Sequence, residues 1–167
     1  MRGVDLLVCA AGVTHDVPIA RLSEESWDHV MAVNYHGAKN CAESALPSMI
    51  ARGSGSIIFI SSYSALHPPV GQAAYAVAKA ALLGLTKDLA RRWGIHGIRV
   101  NAILPGFIET RMTDGVSLQR RTEILADHAL GRYNTPASAA DFIRHLQERM
   151  PHTSGQYFQL DSRAPID

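Results

Sequence analysis

Cysteine is almost missing from this chain. Only Cys9 and Cys41 occur in 167 residues, and they have no metal-ligand spacing. A reducing, cytoplasmic setting is therefore expected. Long apolar runs are missing as well: none approaches the ~20 residues needed to span a bilayer, which argues against a membrane-embedded protein. An excess of charge of either sign is also lacking. Lys and Arg number 16 against 15 Asp and Glu, scattered along the chain, for a net charge of +1. That balance offers no footprint for nucleic acid or an anionic membrane. The eight histidines form no metal triad, so no metal is expected and most of them read as surface residues. There are no internal repeats and no low-complexity segments. The opening "MRGVDLLVCAAG" places Arg2 ahead of an apolar run, but that run is only Leu6 to Ala11 and follows Asp5 directly, so a cleaved signal is not expected.

What remains is an ordinary globular composition, 47% apolar and 19% charged, in a length that suits one domain with a proper core. "VDLLVCAAG" is a short apolar run closed by small residues and Gly12, the pattern of a buried strand meeting a loop. Ser23 is a natural N-cap, and Glu24 and Glu25 suit the positive end of a helix. The helical pattern continues through Val30, Val33, Ala38, Ala42, Ala45 and Met49 to about Arg52, with Pro47 expected to perturb its late part. Ile57 to Ile60 are four successive strand-formers without polar alternation, as in a strand buried on both faces of a parallel sheet. A second long helix is expected from about Gln72 to Trp93, then a strand over Ile98 to Leu104 ended by Pro105-Gly106. The segment from Glu109 to about Arg132 reads as short helices over the sheet. Thr135 and Pro136 open a further helix, and "SGQYFQLD" alternates as a last strand. Strand and helix in alternation predict an α/β fold with a parallel sheet, whose ligands sit at the carboxyl ends of the strands. Gly12, Ser62 and Pro105-Gly106 all fall at such ends.

Within the second long helix, "QAAYAVAKAA" sets Tyr75 and Lys79 four positions apart, one turn along a shared face. A phenol titrates near ~10 and is a poor acid–base catalyst at neutral pH, but a neighbouring ammonium favours the phenolate and lowers that value. The bland account is a chance spacing. Ser62 follows the buried strand and stands thirteen residues before Tyr75, so its hydroxyl could face the same crevice or simply cap a turn. It lies outside any G-x-S-x-G elbow. Asn34 falls in mid-helix, where Asn is a poor helix former: either it is a surface residue, or it turns inward to bind water or backbone.

Taken together, "CAAG" at 9–12, Asn34, Ser62, "YAVAK" at 75–79 and "PGFIET" at 105–110 resemble the short-chain dehydrogenase/reductase family, and within it the 3-oxoacyl-[acyl-carrier-protein] reductases. The resemblance covers nearly the whole chain and fades after about residue 112. It implies a Rossmann-type, doubly wound sheet and an NAD(P)-dependent oxidoreductase, with NADPH favoured over NADH. Tyr75 would then protonate the substrate carbonyl oxygen, or act as base in the oxidation direction. Lys79 would lower the pKa of Tyr75 and hold the nicotinamide ribose, Ser62 would hold the carbonyl, and Asn34 would anchor a water in a proton relay. Ala10, Ala11 and Gly12 would lie beside the cofactor, with Ala10 replacing the family's Asn. Pro105, Gly106, Ile108 and Thr110 would border the nicotinamide and pyrophosphate. The substrate would be a small carbonyl compound or an acyl thioester, with its pocket built from the Thr110 to Leu130 segment. A homodimer or homotetramer through the two long helices is implied.

The family's chain opens with a strand, a TGxxxGxG turn and a helix, followed by two further strand–helix pairs; residues 1–167 contain none of these. The reading is thus a single, N-terminally truncated domain lacking the first three strands, whose strand at Asp5 to Ala10 would carry an open edge. The ending departs too: Asp161 is followed by Ser162-Arg163 where the family has two glycines. Two functions follow. One is the ketone reductase just described; the other is an inactive remnant or oligomerisation module that binds no dinucleotide by itself.

Overall fold

The computed structural model describes residues 3–163. Four strands, β1 (Leu6–Cys9), β2 (Gly55–Ile60), β3 (Ile98–Leu104) and β4 (Tyr157–Gln159), form one parallel sheet in the order β1-β2-β3-β4. Between β1 and β2 run α1 (Glu24–Met31) and α2 (Ala38–Arg52); α3 (Ala73–Trp93) joins β2 to β3, and α4 (Leu118–Ala126) and α5 (Pro136–Arg149) join β3 to β4. Helices on both faces of a parallel sheet give the expected α/β class. The central strands are sealed on both sides, with Ile57, Phe59, Val100, Ile103 and Leu104 fully buried. Each such side chain removed from water contributes ~1.5–3 kcal/mol.

Alternation along the strands sends Ile57, Phe59, Val100, Ala102 and Leu104 to one face, where Ala42, Leu46 and Met49 of α2 and Leu82 and Leu89 of α3 cover them. Ile58 and Ile103 face the other way and meet Leu146, Phe142 and Ile143 of α5. Two polar side chains steer the chain around α5 into β4. Arg99 donates to the carbonyls of Leu146 and Gln147 and, at 3.1 Å, of Met150, filling the unpaired carbonyl end of α5. Buried Asn101 donates to the Thr153 carbonyl and accepts from the Gln156 amide, both at 3.0 Å.

Local cap chemistry sets the helix starts. Ser23 accepts the Ser26 amide at 3.2 Å ahead of α1, and Thr135 accepts the Ser138 amide at 3.1 Å ahead of α5, with Pro136 as its first residue. Two expectations need correction. The first long helix is interrupted by a π-helical turn over Ala32–Gly37, where one extra residue per turn rotates Asn34 into the interior. Pro47 lies inside α2, which runs to Arg52 as its pattern indicated. His128, among histidines read as surface, is buried: its Nδ1 donates to the Ile124 carbonyl at 2.7 Å, and its Nε2 has no hydrogen-bond partner. Among the described residues β1 is an edge strand, as expected, and Val8 on the α5 face is 38% exposed. No described helix is long and apolar enough to cross a membrane.

Candidate active site

The carboxyl ends of β1, β2 and β3 open onto one crevice, and α3 brings two charged or polar groups to its rim. Lys79 lies one turn after Tyr75 and is only 3% exposed. Its ammonium donates to the Ile60 carbonyl at the end of β2, at 2.8 Å. The same strand end is tied back to α3 by Ser61, whose hydroxyl donates to the Lys79 carbonyl at 2.8 Å. These two bonds fix the lysine against β2. Desolvation lowers the Lys79 pKa to about 8, partly offset by Cys9.

Ser62 is the next residue after this junction. It caps a short 3₁₀ turn over Tyr63–Ala65, accepting the Ser64 amide at 3.1 Å, and its hydroxyl is near enough to the Tyr75 phenol to lower its pKa. Burial pushes the Tyr75 phenol above the ordinary tyrosine value; the nearby Ser62 hydroxyl pulls it back and the Asp16 carboxylate pushes it further up. The expected lowering by Lys79 is therefore not found. The ammonium sits 5.7 Å from the Tyr75 ring centroid and is committed to the Ile60 carbonyl, so desolvation of the phenol outweighs it.

Asn34 is fully buried and holds the loop after β1: its Nδ2 donates to the Val13 carbonyl at 2.8 Å and its Oδ1 accepts the Val13 amide at 2.7 Å. Of the two readings of this residue, the inward one holds, with backbone as the partner. Beside it, Gly12 has no room for a side chain. A Cβ there would lie 3.0 Å from Asn34 Oδ1 and 3.4 Å from Lys79 Nζ. Gly12, Asn34 and Lys79 thus meet at one point. Ala10 and Ala11 are exposed on the same loop.

The far wall follows β3. Gly106 adopts φ +84°, and a Cβ there would come within 2.5 Å of the Asp161 side chain, so only glycine fits. Pro105 accepts a bond from Asn134 Nδ2 at 2.9 Å. The Ile108 carbonyl and the Thr110 amide are both tied to the Thr113 hydroxyl, at 3.0 Å and 2.9 Å, which closes a small turn over Arg111–Thr113. Asn34 and Lys79 lie beside Gly12, Lys79 lies near the Tyr75 ring, and Ser62 lies near its phenol. Pro105, Gly106, Ile108 and Thr110 form a separate wall, and Thr110 is exposed.

Several neighbours escaped sequence reasoning. Gln72, just before α3, donates to Asp16 at 2.7 Å and accepts from Ser64 at 3.0 Å, linking the β1 loop to the Ser62 turn. Its one sequence signal is an amide at the head of an alanine-rich helix, three residues before Tyr75. Asp16 and Ser64 carry none.

A family model described as Enoyl-(Acyl carrier protein) reductase matches residues 1–162. The chain is similar to the 3-oxoacyl-[acyl-carrier-protein] reductase FabG of Thermotoga maritima, 38% identical over 159 residues, covering 95% of this chain and 65% of that protein. It is also 39% identical over 146 residues to a (3R)-3-hydroxyacyl-CoA dehydrogenase of Mus musculus, covering 87% of this chain and 56% of that one. Among solved structures, a protein from Beutenbergia cavernae described as an NAD(P) dependent gluconate 5-dehydrogenase with bound NADP superposes with a TM-score of 0.94. The two are 33% identical, over 97% of this chain and 66% of that one. The chain thus spans slightly under two thirds of the length of these bacterial relatives.

Proposed function

This chain belongs to the short-chain dehydrogenase/reductase family, and on that footing we propose that it carries the proton-transfer side of an NAD(P)-dependent oxidoreductase. The reaction would reduce a ketone, such as a 3-oxoacyl thioester, or oxidise the matching alcohol. The observation that carries the reading is the grouping at the β2 end: Lys79 anchored to the Ile60 carbonyl with its ammonium 5.7 Å from the Tyr75 ring centroid, and Ser62 beside the phenol. Similarity to 3-oxoacyl-[acyl-carrier-protein] reductases favours the thioester substrate, and the NADP in the Beutenbergia protein favours NADPH.

The residues present suit the nicotinamide end of such a cofactor. The crowding around Gly12 leaves the backbone open beside Asn34 and Lys79, and Lys79 retains donors beyond its bond to Ile60 for ribose hydroxyls. Ala10, Ala11, Pro105, Gly106, Ile108 and Thr110 would border it. When bound, the nicotinamide supplies the hydride in reduction and accepts it in oxidation. Ser62 then donates to the substrate carbonyl oxygen and orients it towards Tyr75. The protonated phenol delivers its proton to that oxygen as the carbon becomes tetrahedral, and in the alcohol direction the phenolate takes it back. The Lys79 ammonium would hold the ribose hydroxyls, and Asn34 would anchor a water that restores the proton. We place the protein in the cytoplasm, as one domain that pairs with copies of itself through α2 and α3.

A second reading rests on the sequence having no glycine-rich phosphate turn: the chain would bind no dinucleotide alone and act as an oligomerisation module. One experiment separates the two. The purified chain is titrated with NADPH and NADH and assayed with a 3-oxoacyl thioester, beside Tyr75→Phe. Binding with turnover that falls ~10²–10⁴-fold in Tyr75→Phe, at unchanged thermal stability, is the expected result. Undiminished turnover in that variant removes Tyr75 from the chemistry. Absence of dinucleotide binding, with a defined oligomer, establishes the second reading.

A further inference from the structure

The segment where the chain departs from its family's ending reaches back to the substrate side of the crevice. The Asp161 side chain is fully buried, and its two oxygens are taken by different donors: Gln159 Nε2 reaches Oδ1 at 2.7 Å, and Arg163 reaches Oδ2 through both Nε and Nη2 at 2.6 Å. Paired in this way, the Arg163 guanidinium lies over the Tyr63 ring, its central carbon 3.6 Å from the ring centroid. The backbone fastens the segment from below: the Ala129 amide donates to the Ser162 carbonyl at 3.0 Å, and His128 and Arg163 form an antiparallel bridge. From above, Asp161 fills the space that a side chain at position 106 would need. One short segment therefore touches the Pro105-Gly106 wall and the turn that follows Ser62.

We propose that Arg163 is a positioning residue for the substrate side of the site: stacked on Tyr63 and locked by Asp161, it fixes the turn that presents the Ser62 hydroxyl. The turn needs outside support, because a single 3₁₀ turn is held only by poorly aligned bonds. Its own bonds are the Ala65 amide to Ser62 at 3.0 Å, the Leu66 and His67 amides to Tyr63 at 3.1 and 3.0 Å, and the Ser64 amide on the Ser62 hydroxyl; the Ser64 hydroxyl also reaches Gln72, and the His67 ring stacks on Tyr63 with centroids 4.5 Å apart. Clamping the Tyr63 ring restrains the residue next to Ser62 and so the direction of its hydroxyl. Arginine suits the task where lysine does not, since a planar guanidinium pairs along its edge while its face stacks on an aromatic ring.

Amide hydrogen exchange on the full chain tests the clamp with Tyr63→Leu, Tyr63→Phe and Arg163→Ala. In Tyr63→Leu and Arg163→Ala, amides 64–67 should exchange about tenfold faster while those of β2 and β3 stay unchanged. Tyr63→Phe keeps the ring and should behave as the parent. Arg163→Ala leaves Asp161 buried without its partner, so if that variant unfolds, Tyr63→Leu, which keeps the ion pair, decides alone. Parental exchange in Tyr63→Leu overturns the proposal, as does a Tyr63→Phe variant as fast as Tyr63→Leu. The kinetic arm rests on the reductase reading: kcat for the ketone should fall in Tyr63→Leu with the KM for NADPH unchanged. A rise in that KM at constant kcat would place the effect on the cofactor side and overturn the assignment. Lack of turnover in the parent would count against the reductase reading, while the exchange result still decides the clamp.

Discussion

The two faces of the sheet are made by the same strands but differ in cover. Towards α2 and α3, the residues Phe59, Val100, Ala102 and Met49 are all wholly buried. Towards α5, buried Ile58, Ile103 and Leu146 are ringed by partly exposed Phe142, Ile143 and Phe158, and Val8 reaches solvent. Asn34, Tyr75 and Lys79 belong to elements of the densely packed face, where neighbours leave each side chain few alternatives. The other wall of the crevice, from Pro105 to Thr110 and from Asp161 to Arg163, is loop held by side-chain bonds. Rigid packing thus positions the acid–base groups, and a polar clamp positions the wall opposite them.

Substitutions can break that contrast, beginning with the largest effect. Phe59→Ala on the dense face should cost ~3–5 kcal/mol in urea unfolding, whereas Phe158→Ala on the open face should cost about half as much, because its site is already partly solvated and can collapse. Equal losses would erase the distinction. Asn34→Ala should cost ~2–3 kcal/mol by leaving both polar groups of Val13 unpaired, and should speed exchange of the Val13 amide. A loss no greater than that of an exposed alanine substitution would show that the π turn holds without it.

The smallest effect is one of pH. With its folded pKa lowered to about 8, Lys79 binds its proton less tightly than in the unfolded chain. The unfolded state therefore carries more protons above that value, and stability rises with pH. Cys9, raised to about 11 from 9.0, and Tyr75, raised from 10.0, work in the opposite direction at higher pH. The clean window is pH 8–9, where the parent should gain ~1 kcal/mol relative to Lys79→Met. Parallel stability profiles for the two proteins would mean that Lys79 is not desolvated as its surroundings indicate.

Local signals made much of this legible without coordinates. The strand Ile98–Leu104 is a β-forming run bounded by Gly97 and Pro105, and α5 begins at Pro136 behind a threonine cap; each depends on neighbours within a few residues. Spacing and motif order likewise brought Asn34, Ser62, Tyr75 and Lys79 into consideration together. Tertiary structure alone decided how they meet. No propensity marks Ala32–Gly37 for a π turn, directs Lys79 to the Ile60 carbonyl, or lays Arg163 on a ring one hundred residues earlier. The direction of the Tyr75 shift was likewise out of reach, because helical spacing brings an ammonium near a phenol but only packing sets how much water is removed from each. Sequence determines what is adjacent along a helix or strand; which partner a buried polar group finds, and at what cost in desolvation, is settled when distant segments close over it.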